Sequence, residues 1–268
     1  MRSLTTYLDR LLDGARGRVA AARAALPLDE LRERARGVPP PPSFLEALTG
    51  PGVQVIAEVK RASPSRGDLA PGIGAADQAR AYLAGGAAAV SVLTEPDRFK
   101  GSLDDLREVA ALGAPTLRKD FIVDAYQVWE ARDAGAAAVL LIVAALDDEV
   151  LSLLLHEARA AGVDALVEVH DPDEAERAVA TGAHIIGVNA RDLRTFELDA
   201  GAFARIRPHL PDRVVAVAES GVRGPDDVAR AAHQGADAVL VGEAVVTDPD
   251  PVAAVAALVA AGQPTMTG

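Results

Sequence analysis

Gly86-Ala87-Ala88-Ala89-Val90 recurs letter for letter from Gly135 to Val139, and in altered form as Gly182-Ala183-His184-Ile185-Ile186 and Gly235-Ala236-Asp237-Ala238-Val239. The four glycines are 49, 47 and 53 residues apart. Each stands where a helical stretch gives way to a short apolar run, a place where the backbone leaving a helix turns left-handed and glycine enters without strain. A phrase that returns about every two βα units fits one continuous βα repeat better than two unrelated domains.

Eight β-rich runs alternate with helical stretches: VQVIAEV from Val53, AAVSVL, PTLRKD, AAVLLIV, DALVEV, HIIGVN, VVAVAES and DAVLVG, closing at Gly242. The glycine phrase leads into strands two, four, six and eight. Eight strands joined by helices predict a single (β/α)8 TIM barrel over 51–268, a size at which such barrels fold as one unit. A doubly wound open sheet is the alternative, but no G-x-G-x-x-G follows the first strand. With 50% hydrophobic and 3% aromatic residues, the core must be built from Ala, Val, Leu and Ile.

Residues 1–50 read as a helical extension packed on the barrel, within one structural domain overall. Leu4, Leu8, Leu11, Leu12, Ala15 and Val19 recur at helical spacing. A second helix, Leu28 to Ala35, ends before the four prolines at 39–42, and Ser43 with Glu46 reads as a capping box for a third. Charged residues interrupt the N-terminus, so it is no secretory signal, and no uncharged apolar stretch nears the ~18 residues of a membrane span. A net charge of −12 argues against nucleic-acid and anionic-membrane partners, so any anionic ligand must be held locally. The lack of cysteine fits a reducing compartment, and the cytoplasm is expected.

Only three of the 27 basic residues are lysine: Lys60, Lys100 and Lys119. Arginine does not exchange its proton at workable pH, so lysine in so biased a chain marks possible proton chemistry. Lys60 and Lys119 end strands, whereas Lys100 lies in a polar loop and reads as positional. Alternation puts Glu58 with Lys60, Leu117 with Lys119 and Phe121, and Leu166 with Glu168 and His170, on inward faces. Four such charges at one barrel mouth are poorly explained by stability alone, although Glu58–Lys60 and Lys119–Glu168 could also be ion pairs closing the barrel. Ser220-Gly221 and Gly242-Glu243 end strands seven and eight, where barrels often hold phosphate on backbone N–H groups. The five histidines show no ligand spacing, and no metal is expected.

VIAEVKRASPSRG, LTEPDRFKGS, TLRKDFI, LVEVH, IGVNARDL, AESGV and LVGEA, in this order, closely resemble the indole-3-glycerol-phosphate synthase family. The resemblance spans nearly the whole chain. It implies ring closure, decarboxylation and dehydration of 1-(2-carboxyphenylamino)-1-deoxyribulose 5-phosphate, without a cofactor, in a monomer or weak homo-oligomer. Lys119 would be the general acid at the ribulose carbonyl, its amine tuned by partial burial beside another cation. Lys60, with Glu58 beside it, would hold the substrate carboxylate or assist dehydration, and Glu168 would stabilise the iminium-like intermediate and take a proton. Glu219 and Asn189 would complete the polar network. Ser63, Ser220, Gly221, Gly242 and the backbone of Glu243 would orient the phosphate and glycerol chain. Some members of that family carry serine in place of Glu243, whose carboxylate is expected to point away. Phe99, Phe121 and Leu193 could wall the anthranilate ring, and Arg191 could reach an anionic group or serve structure. Two other readings stay open: a Schiff-base aldolase using Lys119, and a non-catalytic phosphate-binding barrel.

Overall fold

The computed structural model describes residues 7–63, 67–69, 72–192 and 195–264. Leu4, Leu193 and the side chain of Ser63 lie outside the described residues. All eight expected runs form strands: β1 Gln54–Val59, β2 Ala89–Leu93, β3 Thr116–Lys119, β4 Ala138–Ile142, β5 Asp164–Val169, β6 Ile185–Asn189, β7 Val215–Glu219 and β8 Ala238–Val241. They pair in parallel and in sequence order, and β1 joins both β2 and β8, so the barrel closes. Closure leaves no unpaired sheet edge.

Strand parity divides the core in two. Ile56, Ala89, Leu117, Leu140, Leu166, Val217 and Leu240 fill the interior, while Val55, Ala57, Val90, Val92 and Val167 face the surrounding helices. Aliphatic side chains suffice because a barrel of eight strands has room only for layers of branched residues. The repeat glycines 86, 135, 182 and 235 all take positive φ, between 74° and 91°, as the helix-to-strand exits require.

Three helices precede the barrel: α1 Tyr7–Ala25, α2 Leu28–Gly37 and α3 Phe44–Ala47. The side chain of Ser43 accepts the Glu46 N–H, as the capping reading predicts. Between the strands come α4 Ala75–Ala84, α5 Leu103–Ala110, α6 Ala125–Asp133, α7 Asp148–Ala161 and α8 Pro172–Ala180, of which the last three matter below. α2 lies on α6 and α7, where Trp129 is buried, donates to Glu157 at 2.6 Å and carries Arg32 and Arg36 over its ring. The backbone N–H of Leu45 donates to Asp164 at the start of β5, which puts α3 at the closed end of the barrel. α1 reaches the other end: its Arg18 lies 3.5–3.7 Å from Glu95, Asp97 and Asp120, all just beyond the C-terminal ends of β2 and β3. Among the described residues, no helix is long and apolar enough to cross a membrane.

Candidate active site

Parallel strands deliver their last residues to one rim, and there the inward face changes from aliphatic to ionic. The Nζ of Lys119 sits 3.4 Å from Glu219, 3.6 Å from Glu168 and 3.9 Å from Glu58. Glu58 turns its other oxygen to the Lys60 ammonium at 2.5 Å. All three carboxylates are nearly inaccessible. The sequence-predicted pairs thus form, but as parts of one cluster with Glu219 as the acid nearest Lys119.

Like carboxylates are driven apart here by their neighbours. Burial disfavours the Lys119 ammonium, yet the fields of Glu219, Glu168 and Glu58 outweigh it and raise its pKa. This corrects the expectation of an amine tuned by a nearby cation, because acids dominate its surroundings. Burial raises Glu219, and the charges of Glu168 and Glu58 add to this against the opposing pull of Lys119. Burial would also raise Glu168, but Lys119 and His170 overcome it and hold that carboxylate low. Glu58 is likewise lowered, by Lys60 and Lys119 against its burial. One acid kept protonated beside one kept ionised is an arrangement suited to moving protons.

Two glycines make room for this cluster. A Cβ on Gly187, midway along β6, would collide with the Glu219 carboxylate. One on Gly242 would lie 2.5 Å from the nearer Glu58 oxygen and 3.1 Å from the Lys60 nitrogen. Gly187 escaped the sequence reading; its signal is a lone glycine inside an apolar strand, which marks a close approach.

A cavity of about 830 Å³ opens over the cluster. Lys60, Lys119 and the three carboxylates form its floor, and Phe99, Phe121, Phe196 and Leu198 supply apolar wall. Phe196 and Leu198 were not anticipated. Glu95 fixes the Phe99 loop by accepting the backbone N–H groups of Asp97, Arg98 and Phe99. Ser220, Gly221, Gly242 and Glu243 line another stretch of the same cavity. Ser220 and Gly221 both take positive φ, 66° and 81°, turning the chain sharply off β7.

Asn189 is engaged on both sides of its amide: Oδ1 accepts the Ser220 hydroxyl at 2.8 Å and the Arg191 N–H at 3.0 Å, and its amino group donates to the Glu168 carboxylate. Arg191 lines the cavity, though its guanidinium donates to the Phe196 carbonyl, so part of its work is to hold that loop. Lys100 is not among the lining residues. Among the described residues, no group of three or more His, Cys, Asp or Glu could hold a metal ion.

Fold and site together define a (β/α)8-barrel with an acid–base cluster and a roomy polar–aromatic cavity at the C-terminal mouth, the face where barrels of this kind act. The family model described as indole-3-glycerol phosphate synthase matches residues 8–258. The chain is 57% identical over 261 residues to the indole-3-glycerol phosphate synthase of Mycolicibacterium smegmatis, covering 97% of this chain and 96% of that protein. It is 56% identical to indole-3-glycerol phosphate synthase 1 of Streptomyces coelicolor, covering 96% of each. In fold it is similar to a thiamine phosphate pyrophosphorylase from Pyrococcus furiosus, with a TM-score of 0.61, 18% identity and coverage of 82% of this chain and 97% of that one. The chain belongs to the indole-3-glycerol phosphate synthase family.

Proposed function

We propose that this chain converts 1-(2-carboxyphenylamino)-1-deoxyribulose 5-phosphate to indole-3-glycerol phosphate, carbon dioxide and water. The observation that carries the reading is the Lys119 ammonium held 3.4–3.9 Å from three buried carboxylates beneath the cavity. As the anilino ring carbon bonds to the ribulose carbonyl carbon, Lys119 delivers a proton to the oxygen that becomes alkoxide. Its raised pKa leaves it protonated until that negative charge develops. Loss of carbon dioxide from the same ring carbon returns the electron pair that the ring gave up. Glu168, held anionic, stabilises the iminium-like cation and accepts a proton before water leaves. Lys60, steered by Glu58, binds the departing carboxylate or protonates the leaving hydroxyl.

The ring packs against Phe99 and Phe121, and the phosphate lies on the backbone of Ser220–Gly221 and Gly242–Glu243, with the Glu243 carboxylate turned aside. Arg191, Asn189 and Glu219 complete the polar lining. The enzyme works without cofactor or nucleic acid, in the cytoplasm, as a monomer or weak homo-oligomer. A Schiff-base route is disfavoured because it needs a neutral amine, and the acidic surroundings of Lys119 raise its pKa and keep it charged. Purified protein given the anilino-ribulose phosphate should produce indole fluorescence, and borohydride should trap no adduct. Absence of indole product with trapping of a carbonyl substrate would reverse the assignment.

A further inference from the structure

His170 follows directly on β5, two residues past Glu168, yet it is absent from the cavity lining. The two oxygens of Glu168 divide their contacts: Oε2 faces Lys119 at 3.6 Å, and Oε1 faces the His170 Nε2 at 3.4 Å. On the far side of the ring, Nδ1 lies 3.1 Å from Glu174 Oε2, and that same oxygen accepts the His170 backbone N–H at 2.8 Å. Glu174 is fixed in turn, because its own N–H donates to the α8 cap residue Asp171. A continuous polar line therefore runs from the first turn of α8 through Glu174 and His170 to Glu168 and the cavity.

We propose that His170, backed by Glu174, is a positioning residue that holds the Glu168 carboxylate in its working orientation throughout the reaction. This rests on the reading of Glu168 as the group that accepts a proton. The need for it follows from the chemistry: once Lys119 gives its proton to the carbonyl oxygen, it no longer offers Glu168 a positive charge. A second cation that takes no part in that transfer keeps the carboxylate ionised and aimed.

The surroundings suit the imidazolium form. Burial alone would lower its pKa, but Glu168 and Glu174 pull it up to about 10. Glu168 is faced by Lys119 from β3, by the neutral Asn189 from β6 and by His170 just beyond the end of β5, with Glu58 and Glu219 beyond Lys119. Arg177, on the same helix as Glu174, is instead engaged by Asp148 and by the carbonyls of Val143 and Leu146.

The test is the pH profile of kcat and KM for two variants, with far-UV circular dichroism to confirm folding. His170→Gln should lower kcat about tenfold with KM little changed, and should move the acid limb of kcat upward by about one pH unit as Glu168 loses its fixed cation. Glu174→Gln keeps the ring but removes one acid, so the His170 pKa falls and kcat should decline newly as pH rises above neutrality. This second variant carries the test if His170→Gln does not fold. A uniform loss of kcat with unshifted limbs, or wild-type behaviour in both variants, overturns the proposal. Full turnover in Glu168→Gln overturns it together with the reading of Glu168. An inactive Glu168→Gln beside an unaffected His170→Gln overturns the positioning role alone.

Discussion

Lys119 shows how a side chain acquires its chemistry from three other strands, for none of its carboxylate neighbours is close in sequence. Strand parity made most of this legible: Glu58, Lys119 and Glu168 each fall on an inward position counted from flanking apolar residues. The primacy of Glu219 was not legible, because it depends on how β7 stands beside β6 and on the missing side chain at Gly187. Gly187→Ala should push the Glu219 carboxylate out of place and reduce kcat by at least about tenfold. Steady-state kinetics check this, and an unaltered kcat would show that the strand gives way instead. Glu168→Gln should depress kcat by about 10²–10⁴-fold while KM changes far less, since the charge matters most once the iminium forms. A change confined to KM would leave Glu168 as a substrate anchor only.

The strands and helices were the most readable part of the chain because two independent signals agree on them. Apolar runs give the strands, and positive-φ glycines give the helix exits. The antiparallel ribbon of Ala62–Ser63 with Gly67–Asp68 was hidden by its two-residue length, too short to show alternation. The grip of α1 on the mouth was hidden for another reason: it is made by the long arm of Arg18 reaching Glu95 and Asp120, 77 and 102 residues along the chain, which periodicity cannot report. α2 packs on α6 in part over Trp129, which is absent from the cavity lining. Trp129→Ala should cost about 3–5 kcal/mol of stability through the cavity it leaves. Denaturant unfolding measures the loss, and kcat below the melting range should stay near wild type; a matching fall in kcat would tie this interface to the chemistry.

The molecule as a whole carries the charge cluster as a pH-dependent load. His170, raised to about 10 in the fold, contributes stability that is fully present below its ordinary value near 6.5 and is lost as pH climbs toward 10. The raised Glu219 acts in the same sense, since the unfolded chain gives up that proton at lower pH than the folded one. Glu168, held low, acts oppositely: its contribution is present above the normal carboxylate range and is lost on acidification. The melting temperature should therefore fall between pH 7 and 10, and His170→Gln should flatten that decline. Calorimetric scans across this range check it, and identical slopes in both proteins would rule out the imidazolium as the cause.

The chemistry turns on whether the Lys119 ammonium gives its proton to the substrate. Lys119→Arg keeps the positive charge among Glu58, Glu168 and Glu219 but offers a guanidinium that does not release a proton. Single-turnover indole fluorescence of this variant, with its fold confirmed by circular dichroism, should show the substrate bound and its conversion slowed by about 10²-fold or more. Conversion at close to the wild-type rate would contradict the role assigned to Lys119 and the mechanism built on it.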